Sequence, residues 1–265
     1  DLSDQPALTW TQGDGGVRDP FIVRHPVTGR YCVMATDLCI KRRNHQWGPA
    51  ISQGSRDVVF WESDDLVHWS EPWSVTLAPE GAGCAWAPEA VWEDQQAFLI
   101  FFAAYTHDNG ESRHRIYAAH TADFHRFTPV FKYIEWAEHV IDTTIIREGG
   151  MYYRFSASHD IKIDCGPELL GEFTPHTIPA VASLVGVEGP ECYRLPDGRW
   201  CLIADRIRVE VDRRVIQSFL DTTFFWERVG TNWAAVCAGS VGCTFMLMRP
   251  DLMPRVEERF TAAMR

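Results

Sequence analysis

The chain of 265 residues contains no uninterrupted apolar run near the roughly 20 residues that a membrane-crossing helix needs. Its richest apolar stretch, "AFLIFFAAY" at 97–105, has the length of a buried strand, so the sequence reads as a folded protein without a membrane span. Basic charge is also short. Lys and Arg number 25 against 36 Asp and Glu, and the resulting net charge of −11 repels a polyanion, which sets nucleic acid aside as a partner. The basic run Lys41-Arg42-Arg43, beside Asn44 and Gly48, reads as a solvated loop.

The eight cysteines (32, 39, 84, 165, 192, 201, 237 and 243) include no CxxC pair and no dense framework, which argues against zinc and against a disulfide scaffold. Cys32 and Cys201 fall within strand-like runs, where a thiol behaves as a small hydrophobe, and the pattern leans towards a reducing, cytoplasmic setting. No signal peptide is recognisable. The start at Asp1 rather than methionine is read as a sign that a signal, tag or neighbouring domain was removed. Helical signals are confined to "DLMPRVEERFTAAM" at 251–264. No linker, low-complexity tract or charge block marks a boundary, so residues 1–265 are expected to form one domain.

What the chain does have is a repeat. "TGRYCVMATD" (28–37) and "DGRWCLIADR" (197–206) share Gly-Arg-aromatic-Cys, then apolar or small residues, then an acid. Each follows a short strand and a turn, "RDPFIVRHPVTG" and "VEGPECYRLPDG", so each is a hairpin. Further copies occur at 86–105 and 140–159. Second strand pairs follow at 57–72, 115–130 and 215–230, with a degenerate one at 162–175. Two hairpins make four strands, the blade of a β-propeller. With a fifth inner strand placed at 240–248, the expected fold is all-β: a five-bladed propeller of four-stranded antiparallel blades around a central channel. A β-sandwich also has many short strands but does not explain one composition recurring about every 50 residues.

Asp19 and Glu188 stand at the same distance before Gly29 and Gly198, and Asp142 keeps that register once a shorter turn is allowed for; the second copy has Ala87 near this position. Equivalent positions on the inner strands of a propeller face one channel, so three carboxyls would converge there. Such a group is costly unless it is used, because repulsion and desolvation raise at least one pKa. Glycoside hydrolysis needs that: one carboxyl kept protonated for the leaving oxygen and one ionised to activate water or attack carbon. Singly, Asp19 before Pro20 and Glu188 before Gly189-Pro190 could be turn residues, and Glu191 competes with Glu188. Trp86, beside the ring, is a candidate to stack on a sugar face, and Glu89 a rim candidate for substrate contact. Loop histidines such as His107 and His114 are expected to face solvent.

These stretches, from "VRDPFIVR" through "GSRDVVFWESDDLVHWSEP", "GCAWAPEAVWED" and "VIDTTII" to "VEGPECYRL", together resemble glycoside hydrolase family 43, five-bladed propellers that cleave arabinose- and xylose-containing plant polysaccharides with inversion. The resemblance implies that Asp19 is the general base, Glu188 the general acid and Asp142 the residue that raises the pKa of Glu188 and positions it. Inversion implies base and acid carboxyls roughly 6.5 to 9.5 Å apart. The expected activity is release of α-L-arabinofuranosyl or β-D-xylosyl, or galactosyl, units from an oligosaccharide or polysaccharide, with no cofactor required. The chain departs from the family where an Arg-His-Gly segment would stand: Ser240-Val241-Gly242 aligns there and no histidine follows His176, so the resemblance does not extend to a central calcium. That departure motivates one rival, a non-catalytic carbohydrate-binding propeller. Glu191-Cys192 motivates another, a retaining fructan-type hydrolase, whose carboxyls would be only about 5 to 5.5 Å apart.

Overall fold

The computed structural model describes residues 8–93, 97–195 and 198–205, and the backbone of Arg206, 225–229 and 233–238. The helix expected at 251–264 and the fifth inner strand expected at 240–248 lie outside these residues.

The described chain is all-β and forms four four-stranded sheets in succession. The first comprises β1 (Val17–Arg24), β2 (Tyr31–Asp37), β3 (Asp57–Ser63) and β4 (Trp73–Thr76). The second comprises β5 (Trp86–Glu93), β6 (Ala97–Asp108), β7 (Glu111–Thr121) and β8 (Phe131–Ile134). The third holds β9 (Ile141–Glu148), β10 (Met151–Ser158), β11 (Asp160–Gly166) and β12 (Thr174–His176). All three are antiparallel meanders. The fourth begins with the antiparallel hairpin of β13 (Val187–Arg194) and β14 (Trp200–Arg206). Of the remaining strands, β15 (Phe225–Val229) and β16 (Trp233–Ala238), it is β16 that pairs with β14, and it runs parallel. The expectation of uniformly antiparallel blades therefore fails in this sheet: the later strand takes the third place and the earlier one the edge.

Turn chemistry fixes the hairpins. Asn109-Gly110 and Gly149-Gly150 have positive φ at both residues, the two-residue connection whose twist suits flanking strands. One acidic turn is used twice, after β3 and after β7. The Asp65 Oδ1 accepts the N–H groups of Val67 and His68, and the Asp123 Oδ1 those of His125 and Arg126. These bonds bring the chain round to the fourth strand of each sheet.

The core lies between sheets, which explains the long apolar run of β6. Phe98, Ile100 and Phe102 pack with Met34, Val58 and Phe60 of the first sheet. Their neighbours Leu99, Phe101 and Ala103 face the other way, onto Val140, Ile145 and Tyr152 of the third region. A strand buried on both faces has no polar alternation to show. Ile146, Phe155, Ile161 and Ile163 then pack against Val187, Leu202 and Ala204 of the fourth sheet. Sheets stacked face to face in series, with β5 beside β1 and β9 between β5 and β13, make a propeller-like arrangement rather than a two-layer sandwich.

Two short helices interrupt the strands, and α1 (Trp47–Ser52) lies in the loop between β2 and β3. That loop is tied to the segment before β1. Arg43 grips Asp14 with Nε and Nη2 at 2.6 and 2.5 Å, so the basic run is in part an anchor, contrary to its reading as a solvated loop.

Candidate active site

Each of the four described inner strands carries a bulge at the same place. The pairing jumps from Arg18–Thr36 to Phe21–Met34, from Trp86–Ala103 to Glu89–Phe101, from Ile141–Ala157 to Thr144–Phe155, and from Glu188–Asp205 to Glu191–Ile203. In each case two residues oppose one, which bends the strand and re-aims its side chains. The first extra residue is left-handed throughout: Asp19, Ala87, Asp142 and Gly189, with φ of 49°, 45°, 47° and 58°. Pro20, Pro88 and Pro190 follow in three of them, where a missing N–H costs no ladder bond.

This register sharpens the sequence alignment. Asp19 and Asp142 are equivalent, with Ala87 in the same place, but Glu188 is not their counterpart. Gly189 holds that place, and Glu188 stands one residue earlier, level with Arg18, Trp86 and Ile141. Asp205 likewise matches Thr36, so the acids ending the two Gly-Arg-aromatic-Cys stretches are one residue out of step.

The N–H groups turned out by two bulges are satisfied from the neighbouring sheet. Ala87 donates to the Thr36 Oγ1 at 2.8 Å, and Gly189 to the Asp142 Oδ2 at 3.2 Å. The second bond sets Asp142 against the backbone beside Glu188. Asp19 is ion-paired with the Arg18 Nε at 3.2 Å, and the Arg18 guanidinium lies 5.1 Å over the Trp47 ring.

Electrostatics couple the three acids. Burial, then the charges of Asp19 and Glu188, push the Asp142 carboxyl up to about 8, against the Gly189 N–H and Arg18. Glu188 is raised by burial, then by Asp205 opposite it on β14 and by Asp19, with Arg18 opposing. Burial and neighbouring negative charge thus both disfavour ionisation of Asp142 and Glu188. Sequence reading missed Asp205, although as the strand partner of Glu188 it lies in a motif already matched to the first hairpin.

Glu188 and Ile141 open onto a cleft of about 530 Å³, whose walls include Tyr105, His114, His139, Ser158 and His159 and, on the α1 side, Ile51. His114 was expected to face solvent but is buried in this wall, because the Trp86 ring lies 5.3 Å from it and Tyr105 5.2 Å on another side. The His139 Nδ1 accepts the His114 N–H at 3.1 Å. Burial first, then His139, lowers the His114 pKa to about 4, and burial also lowers His139, so these two imidazoles favour the neutral form suited to hydroxyl groups. Trp86 is half-buried at the ring, with its face turned to His114 and its neighbour Trp47 edge-on at 6.2 Å. Glu89 is not at a rim. It lies at the bulge position below, 8% exposed and turned to Glu191 and Thr144.

Close backbone packing sets the α1 wall. A Cβ at Gly83 would run into the Ile51 carbonyl and Ser52 Cα, and Gly54 donates its N–H to the Gly83 carbonyl at 2.6 Å. Gly83→Ala is therefore expected to displace α1 and cost about 1–3 kcal/mol. Denaturant unfolding would measure the loss.

Among the described residues, no group of three or more His, Cys, Asp or Glu could hold a metal ion, and no helix is long and apolar enough to cross a membrane. The fifth-blade segment that bears on calcium in the resembled family falls outside the described residues.

The kinked inner strands thus set Glu188 at the cleft and couple Asp142 electrostatically to Glu188 and Asp19. The chain belongs to the family described as "Probable glycosyl hydrolase domain", a family related to glycoside hydrolase family 43, whose profile matches residues 2–227. Over 171 residues it is 33% identical to an "Alpha-L-arabinofuranosidase" of Bifidobacterium longum subsp. longum; the match covers 57% of this chain and 16% of that protein. The chain thus spans well under a fifth of the length of this curated relative. In the solved structure of Zg3597, a family 117 glycoside hydrolase produced by the marine bacterium Zobellia galactanivorans, the likeness covers 90% of this chain and 74% of the other, with a TM-score of 0.58. At 15% identity it speaks for the fold.

Proposed function

We propose that this chain is an inverting glycoside hydrolase of the arabinofuranosidase type, releasing α-L-arabinofuranosyl or β-D-xylosyl units from oligosaccharides or polysaccharides. The observation that carries the reading is the convergence of Asp19, Asp142 and Glu188 from three sheets, with burial and mutual charge raising Asp142 and Glu188. The arabinofuranosidase relative favours arabinose. In this reading Asp19, paired with Arg18, takes a proton from water as the water oxygen attacks the anomeric carbon. Glu188 gives its proton to the glycosidic oxygen as that bond breaks. Asp142, held by the Gly189 N–H, couples to both and helps keep the proton on Glu188 until it is used. The chemistry draws on these carboxyls and needs no cofactor. We assign residues 1–265 to one propeller domain of five blades.

The cleft supports a place for the leaving group. Glu188 lines it and Asp19 does not, and in an inverting site the acid faces the leaving oxygen while the base faces the opposite side of the ring. His139→Ala is then expected to raise KM for an arabinosylated oligosaccharide about tenfold through a lost hydrogen bond, with little change for a nitrophenyl glycoside. Steady-state kinetics on the two substrates would measure the difference. The retaining fructan-type alternative loses support because Glu191, its acid, is turned to Glu89 and is not among the cleft residues.

The activity is tested on nitrophenyl α-L-arabinofuranoside, β-D-xyloside and galactofuranoside, and on arabinosylated oligosaccharides, with proton NMR following the first-formed anomer. Release of sugar with inverted configuration is expected. A retained anomer would overturn the mechanism, and a wild-type protein no faster than Glu188→Ala on every substrate would overturn the enzyme.

A further inference from the structure

Two residues below the catalytic ring, the bulges define a second layer of equivalent positions. It holds Phe21 on β1, Glu89 on β5, Thr144 on β9 and Glu191 on β13. Two acids in such a layer would be expected to repel each other out of the channel. Instead the Glu89 and Glu191 side chains hydrogen-bond to each other, and Glu89 also bonds the Thr144 hydroxyl. Two carboxylates have only acceptors to offer, so this contact requires a proton between them.

We propose that Glu89 and Glu191 form a proton-sharing carboxyl pair that ties the second, third and fourth sheets together beneath the active site and positions the acids above it. The connectivity gives the pair this role. Thr144 is two residues from Asp142 along β9, and Glu191 is two residues from Gly189 along β13. The Gly189 N–H to Asp142 bond spans the same two strands one layer higher. Fixing β9 against β13 at the lower layer therefore fixes the distance that sets Asp142 beside Glu188. The shared proton is the part of the pair that responds to pH.

The titratable groups facing the pair are Asp142 from β9 and Cys192 beside Glu191 on β13, with Asp19 and Glu188 acting on Asp142 from above. Every acid among them disfavours a second negative charge. Burial first, then the charge of Glu191, holds the Glu89 carboxyl well above its usual range, while burial raises Glu191 to about 7 and the Glu89 donor limits that rise. The pair therefore keeps one proton at mildly alkaline pH, with Glu89 donating to ionised Glu191. A glutamine at 89 reproduces that state, with an amide N–H for Glu191 and an oxygen for Thr144. An alanine reproduces neither contact.

The proposal rests on the glycosidase reading only for the positioning of the acids, so its test begins without substrate. Recorded above about pH 8, where Asp142 has lost most of its proton, infrared spectra of wild type minus Glu89→Gln should show a buried carboxylic acid band that wild type minus Glu188→Gln lacks. No such band in the Glu89→Gln difference would overturn the shared proton. In kinetics on a nitrophenyl glycoside, Glu89→Ala is expected to lose about 100-fold in kcat/KM, as misplacement of a reacting group by about 1 Å does, and to shift the pH profile. Glu89→Gln should retain activity close to wild type. Equal losses in the two variants, or a pH profile that neither moves, would overturn the positioning role. A wild-type protein inactive on every glycoside would count against the glycosidase reading, and the infrared result would still decide the pair.

Discussion

Glu188→Gln is expected to lower turnover of an arabinosylated oligosaccharide by about 10²- to 10⁴-fold, the range that a positioned general acid contributes. The same variant should lose far less on a dinitrophenyl glycoside, whose leaving group departs without a proton. The physical reason is that Glu188 is an acid by environment. Burial and the neighbouring Asp205 and Asp19 charges raise it, which favours the protonated form that a general acid uses. Asp19→Asn should behave differently: water still has to lose a proton whatever the leaving group, so both substrates should slow together. Rates for the two variants on the two substrates therefore assign acid and base separately. Equal losses on both substrates for Glu188→Gln would remove it from the acid role.

Asp142→Asn is expected to make the protein slower and more stable at once. In the native state the carboxyl is raised from 3.8 to about 8, so between those values the folded protein binds a proton that the unfolded chain has released. Stability then falls as pH rises through this window, and the penalty is complete above about 8. Asparagine carries no charge to bury, still accepts the Gly189 N–H, and tolerates the left-handed backbone that Asp142 adopts. The gain in melting temperature over wild type should be absent near pH 3.8, grow up to about pH 8 and stay flat beyond. Activity should fall by about 10²-fold or more, as for a lost acid–base group. A variant whose stability gain does not depend on pH would show that Asp142 is not a buried, proton-holding acid. Such a trade is expected where a site is held in an unfavourable state for its chemistry.

The repeat made the hairpins legible before any coordinates, because each copy carries its own turn chemistry and each strand its own apolar run. Asp19 and Asp142 stand out in the sequence for the same reason, because they recur at one place in the period, and Trp86 because it adjoins that place. What the period could not show was the bulge. It inserts a residue into one strand alone, so counting along the chain placed Glu188 level with the aspartates when pairing across the hairpin sets it one residue earlier. Glu89 was misjudged as a rim residue because sequence spacing does not reveal depth along the channel. His114 was misjudged because its burial comes from Trp86 and Tyr105, partners that no local pattern announces. The order of β15 and β16 was equally out of reach, since either strand could have filled the third place by composition.

Ala87 has the same kinked backbone as Asp19 and Asp142 but no acid to aim. An alanine gains nothing from a left-handed conformation that it resists. The kink is therefore a property of the scaffold, present whether or not chemistry is mounted on it, and the carboxylates occupy mounting points that the architecture supplies in each of the four described copies. One mounting point holds a methyl group, and another, at Gly189, serves as an anchor for a neighbour's carboxylate. Remodelling this domain for another sugar or another reaction would then be a matter of re-dressing standing brackets, leaving the frame that carries them untouched.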